Sequence, residues 1–182
     1  WTQSTANAQW AARESHTSVV FNDGTNKMWV IGGADASARR NDVWYSTDGI
    51  TWTQASANAQ WQARQFHTSL VFNDGTNKMW VIGGYDGADR RNDVWYSTSG
   101  SSWTQSTANS QWVGRQAHTS LVFGSKMWVV GGANAVGANR NDVWYSTSGS
   151  SWTQETANAN WAARENHTSL VHTVNSQERM WV

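Results

Sequence analysis

Residues 67–112 read, in order, HTSLVF, NDGTN, KMWVIGG, YDGADRR, NDVWYST, SGSS, WTQ and STANSQW. Four short runs rich in Val, Trp, Tyr, Phe and Thr alternate with clusters of Gly, Asn, Asp and Ser. β-branched and aromatic side chains suit a pleated, half-buried surface, and the intervening residues suit turns. The stretch therefore predicts consecutive antiparallel strands. Asp74-Gly75 is a tight-hairpin signal, and Asp48-Gly49 is another. The doublets Gly32-Gly33, Gly83-Gly84 and Gly131-Gly132 suit positive φ or close backbone approach. No segment repeats apolar residues at i, i+3 and i+4, so the chain does not read as helical.

The same unit recurs along the chain. WTQ begins at Trp1, Trp52, Trp103 and Trp152, and HTS begins at His16, His67, His118 and His167. The last interval is shorter because FNDGTNK, present at 21–27 and 72–78, contracts to FGSK at 123–126, while the next loop gains one residue. Length changes confined to loops fit packed strands between them. A four-stranded meander of this period predicts a β-propeller blade. One such sheet cannot bury both faces, so successive blades must stack.

Composition narrows the function. Thirteen Lys and Arg balance thirteen Asp and Glu, which removes any electrostatic reason to expect nucleic acid or an anionic membrane as partner. Cysteine is absent, excluding disulfides, thiolate metal sites and cysteine nucleophiles. No apolar run approaches the length of a membrane-spanning helix. The 15 Trp residues supply the buried area that scarce Leu and Ile would otherwise provide.

The R-x-x-H-T-S start, the glycine doublet after strand two, the NDVWYS third strand and the Trp of strand four, repeated in fixed order, resemble the kelch family over essentially the whole chain. The resemblance is to bacterial kelch and galactose-oxidase-like central-domain repeats. WD40 repeats have a similar period, but their Gly-His and Trp-Asp signatures are missing here. The resemblance implies an all-β fold of four-stranded antiparallel blades, three complete and a fourth partial. The expected blades are about 13–54, 64–105, 115–154 and 164–182, with residues 1–3 as a fourth-strand closing segment. Many bacterial kelch-like repeats have Pro before the Trp of the loop entering strand one; here Gln9, Gln60, Gln111 and Asn160 stand there. Kelch propellers usually close with six or seven blades. A piece of a longer array, or a ring shared by two copies, is therefore favoured over a closed four-bladed ring.

The repeat also sorts candidate functional residues. His16, His67, His118 and His167 recur in every unit and read as loop anchors rather than metal ligands, and the glycine doublets read as backbone devices. Arg13, Arg64, Arg115 and Arg164 recur three residues before each His. In kelch proteins that capture acidic peptides, arginines of this loop can reach the ligand, so they are candidates, although recurrence favours a structural role. The loops between strands two and three, and those entering strand one, share a face in a kelch-like meander. Most differences between copies lie there, which suggests binding specificity. Arg39 and Arg90 belong to this set, and Phe66 and Tyr85 are aromatics that their copies lack.

The expected function is a non-enzymatic binding or assembly scaffold for a protein or glycan, needing no cofactor, catalytic residue or metal. The expected state is a homo-oligomer or part of a longer array, with an extracellular or cell-surface location favoured and no membrane insertion. The alternative is a piece of a kelch-type enzyme, sugar-processing or oxidase, whose active-site residues lie outside this chain.

Overall fold

A computed structural model describes residues 2–182. The first sheet runs β1 (Thr17–Asn22), β2 (Asn26–Ala34), β3 (Arg39–Ser46) and β4 (Thr53–Ser56), paired in chain order and antiparallel throughout. The second repeats it with β5 (Thr68–Asn73), β6 (Asn77–Tyr85), β7 (Arg90–Ser97) and β8 (Thr104–Thr107). The third has β10 (Thr119–Phe123), β11 (Lys126–Asn134), β12 (Asn139–Ser146) and β13 (Thr153–Thr156). It also has a short extra strand, β9 (Arg115–Gln116), pairing with the end of β11. A last sheet pairs β14 (Leu170–Val174) with β15 (Gln177–Trp181). Of the expected closing segment, Trp1 lies outside the described residues, and Thr2 and Gln3 are not in a strand.

Alternation within strand two builds the stack. Successive side chains of a strand point to opposite sides of its sheet. Trp29 and Ile31 of β2 therefore enter the same apolar layer as Met79 and Val81 of β6, with Phe21, Val43, Trp61 and Trp103. One period on, Trp80 and Ile82 meet Met127 and Val129, with Trp112 and Trp152. A third layer holds Leu121, Trp128, Val130 and Val143 against Trp161, Val171 and Met180. Each layer lies between neighbouring sheets, which is why no single unit holds a core by itself.

The strand-one edges meet side by side, β1 beside β5, β5 beside β10 and β10 beside β14. A chain of backbone hydrogen bonds runs across their entrances. Phe66 N–H donates to the Ser15 carbonyl (3.1 Å), Ala117 N–H to Phe66 (2.9 Å) and Asn166 N–H to Ala117 (2.9 Å). All four residues hold left-handed φ between 52° and 55°. The second glycine of each doublet lets this collar approach: a Cβ on Gly33 would sit 2.6 Å from His16 Cβ, and one on Gly84 2.6 Å from His67 Cβ. Both glycines also hold positive φ.

Candidate functional site

The residues that recur in every copy turn inward. Arg64 donates from Nη1 and Nη2 to the two carboxylate oxygens of Asp93 (2.6 and 2.8 Å), and also to the Gly83 and Gln62 carbonyls. Arg13 makes the same bidentate pair with Asp42, and Arg115 with Asp142. The side chains of Arg13, Arg64 and Arg115 are 0–1% exposed. The donors of these three candidate arginines are spent on the blade, in the structural role that their recurrence favours, and planar fork-to-fork pairing is the geometry guanidinium satisfies best. Arg164, half-buried, donates from Nε to the Ala162 carbonyl and forms no ion pair among the described residues. Burial pushes the Asp42 carboxyl upward, but the hydrogen bonds from Arg13 and Trp44 outweigh it and hold Asp42 below the ordinary carboxylate range.

The histidines link neighbouring sheets. His67 Nε2 lies 3.0 Å from Thr17 Oγ1, His118 Nε2 2.9 Å from Thr68 Oγ1 and His167 Nε2 3.2 Å from Thr119 Oγ1. In each case the hydroxyl belongs to the preceding strand one. Burial, reinforced by the Arg64 and His16 charges and opposed by the Ile31 carbonyl, pushes His67 down to about 3. Burial, with Arg115 next, drives His118 well below its ordinary value. Both rings are neutral at physiological pH.

The entrance loops are anchored by a device the sequence did not advertise. Where related repeats have Pro, Gln9, Gln60 and Gln111 accept hydrogen bonds from the backbone N–H of Trp52, Trp103 and Trp152 (2.6, 2.6 and 2.7 Å). The amide holds the loop through a partner instead of a locked φ. Asn41 and Asn92 close the other side by donating from Nδ2 to carbonyls of the same loops.

Residues that differ between copies lie together beside this polar frame. Gln65 and Tyr85 exchange backbone hydrogen bonds (3.0 and 2.8 Å), so the loop carrying Phe66 and the loop starting at Tyr85 share one end of the second sheet. Tyr85 is flanked by two guanidiniums, with Arg39 of the first sheet 4.8 Å and Arg90 5.4 Å from its ring centroid. Its hydroxyl donates to the Gly87 carbonyl at 2.7 Å, fixing the ring. Arg40 and Arg91, one position further along, are neutralised by Asp35 and Asp86. Arg39 and Arg90 form no ion pair among the described residues, and the solvent-closed Nε of each has no hydrogen-bond partner. Arg90 reaches the third sheet through the Ala135 carbonyl (3.2 Å), beside Val136, which is 86% exposed. Phe66 and Tyr85 are both half-buried. The sequence singled out Phe66, Tyr85, Arg39 and Arg90; their convergence is tertiary, because Arg39 and Tyr85 come from different sheets.

Comparison with known proteins matches this architecture. A family model described as the KLHDC2/KLHL20/DRC7 Kelch-repeats domain matches residues 1–181. The leucine-zipper-like transcriptional regulator 1 homolog of Drosophila melanogaster is 29% identical over 132 residues. That alignment takes in 67% of this chain and 13% of the fly protein, so the chain corresponds to a small part of that relative's length.

Proposed function

The chain belongs to the kelch-repeat family, and on that premise we propose that it is a non-enzymatic scaffold binding a protein partner through the face of Phe66, Tyr85, Arg39 and Arg90. The Arg39–Tyr85–Arg90 stack carries this reading. Two guanidiniums without carboxylates flank a fixed aromatic ring at the end of the sheets where most differences between copies lie. Aromatic and Arg side chains are the residues that dominate protein-binding energetics. The constant residues support the same reading from the other side: Arg13, Arg64 and Arg115 and the recurring His are spent within and between the sheets, leaving the non-repeated loop residues free to vary with the partner. Use within a longer array or a homo-oligomer fits this role, since stacked blades present several such loops to one partner.

The test is selection of binders from a random peptide library on the full chain, followed by affinity measurement against variants. Tyr85→Ala and Phe66→Ala should each weaken a selected binder by about tenfold, the usual scale for a central aromatic. Undiminished binding by both variants would overturn the assignment of this face.

A further inference from the structure

A second concave feature lies apart from the Arg39–Tyr85–Arg90 stack, although it shares the entrance loop through Gln62. A groove of about 400 Å³ runs along the second sheet, where β7 and β8 meet the loop entering the sheet. Trp95 lines it, half-buried, with Gln62, Gln105 and Asn109 around it. Trp95 is a fixed platform: its Nε1–H donates to Asp93 Oδ2 at 2.8 Å, and that carboxylate is itself gripped by Arg64. Gln105 is the cross-strand partner of Trp95. The side chains of Gln62, Gln105 and Asn109 are exposed and make no hydrogen bond among the described residues. Each offers a carbonyl acceptor and an NH₂ donor.

The electrostatics of the groove are as informative as its amides. Both ionised groups in it are neutralised, Arg91 by Asp86 (Nε to Oδ2, 2.5 Å) and Asp93 by Arg64. An anion or a cation finds no uncompensated charge there. What remains is an anchored indole beside free amides. That combination matches a neutral pyranose, which presents a C–H face to an aromatic ring and paired hydroxyls to planar amides. A concave site with a few convergent polar groups is the usual form of a small-molecule site. We infer that this groove is a binding site for a neutral hexopyranose unit of a carbohydrate.

The neighbouring sheets rank the sites. Trp44, Gln54 and Asn58 occupy the same positions in the first unit, and Trp144, Gln154 and Asn158 in the third. Trp44 and Trp144 are likewise half-buried and bonded to Asp42 and Asp142 at 2.8 Å. Ala11 and Val113 stand where the second unit has Gln62. The middle groove thus has one more amide than its neighbours and is the tightest of a repeated series.

The experiment is saturation-transfer NMR on the full chain with a panel of methyl hexopyranosides (gluco, galacto, manno and N-acetylglucosamine), each titrated to a dissociation constant. At least one should bind in the range of about 1 mM, ordinary for a shallow monosaccharide site. Gln62→Ala and Gln105→Ala should each weaken it by about three- to tenfold, the scale of one lost hydrogen bond. Both positions are exposed, so thermal stability should hold. Ala11→Gln should strengthen binding by adding the missing amide to the first unit, and Tyr85→Ala should leave it unchanged. Absence of saturation transfer from every sugar at about 50 mM, or affinity indifferent to both Gln62→Ala and Gln105→Ala, overturns the inference. Loss on Tyr85→Ala with both glutamine variants intact overturns it too, by moving the sugar to the loop face. None of these outcomes bears on the peptide-binding test.

Discussion

Gly49, Gly100 and Gly149 occupy the same position of the β3–β4, β7–β8 and β12–β13 turns, and all three hold φ of +73°. Their surroundings differ. A Cβ on Gly100 would overlap the Trp29 ring, 2.7 Å from Cη2 and closer to Cζ3, and one on Gly149 would overlap Trp80 in the same way. A Cβ on Gly49 meets nothing nearer than Met28 Cε at 3.4 Å. Substitution by Ala therefore separates two effects. At Gly49 only the left-handed backbone is penalised, a cost of about 1–2 kcal/mol. At Gly100 and Gly149 that penalty is joined by displacement of a fully buried Trp, for which overpacking adds about 1–3 kcal/mol. Gly100→Ala and Gly149→Ala should thus lose about 2–5 kcal/mol. Equilibrium urea unfolding, followed by circular dichroism and by Trp fluorescence, reads the difference as separate midpoints at similar slope. Equal losses at all three glycines would show that φ alone selects glycine and that stacking of the turn on Trp29 and Trp80 contributes nothing.

Three further outcomes are expected. Asp93→Ala strands the buried Arg64 guanidinium and should cost about 3–5 kcal/mol, while replacing Arg64 and Asp93 together by Met and Leu should recover much of it; calorimetric melting of the three variants measures both. Phe66 holds a left-handed φ of +55° that the corresponding Asn166 adopts more readily, so Phe66→Asn should raise stability by up to about 1 kcal/mol while weakening partner binding. Acid should destabilise the fold through its buried histidines. The His67 pKa is lowered on folding, so between pH 6.5 and about 3 the unfolded chain binds the extra proton and stability falls with pH. Its full contribution, present above pH 6.5, is of order 5 kcal/mol at 1.36 kcal/mol per unit. Urea titrations at several pH values should show this slope, and His67→Gln should flatten it.

Much of the fold was legible because its signals are local. Strand and turn chemistry alternate within one period, and the period itself forces stacking, since a lone sheet leaves an apolar face in water. The glycine doublets were legible as well, because only glycine tolerates both positive φ and a histidine backbone against its Cα. Recurrence weighed Arg13, Arg64 and Arg115 toward the blade, yet left them as ligand candidates. Spacing alone does not reveal that Asp42, Asp93 and Asp142 consume both edges of each guanidinium.

The tertiary structure decided what depends on one unit meeting the next. That Arg39 of one sheet and Arg90 of the next flank Tyr85 follows from the stacking geometry of whole sheets, to which a one-dimensional pattern is blind. The bonding of Gln60 to a backbone N–H 43 residues away is of the same kind. The repeat in the sequence determined what each unit is, because hydrophobic period and turn chemistry act within a few residues. Which side chains remain free to bind was decided by the contacts between units, because burial and ion pairing are settled only once neighbouring sheets are in place.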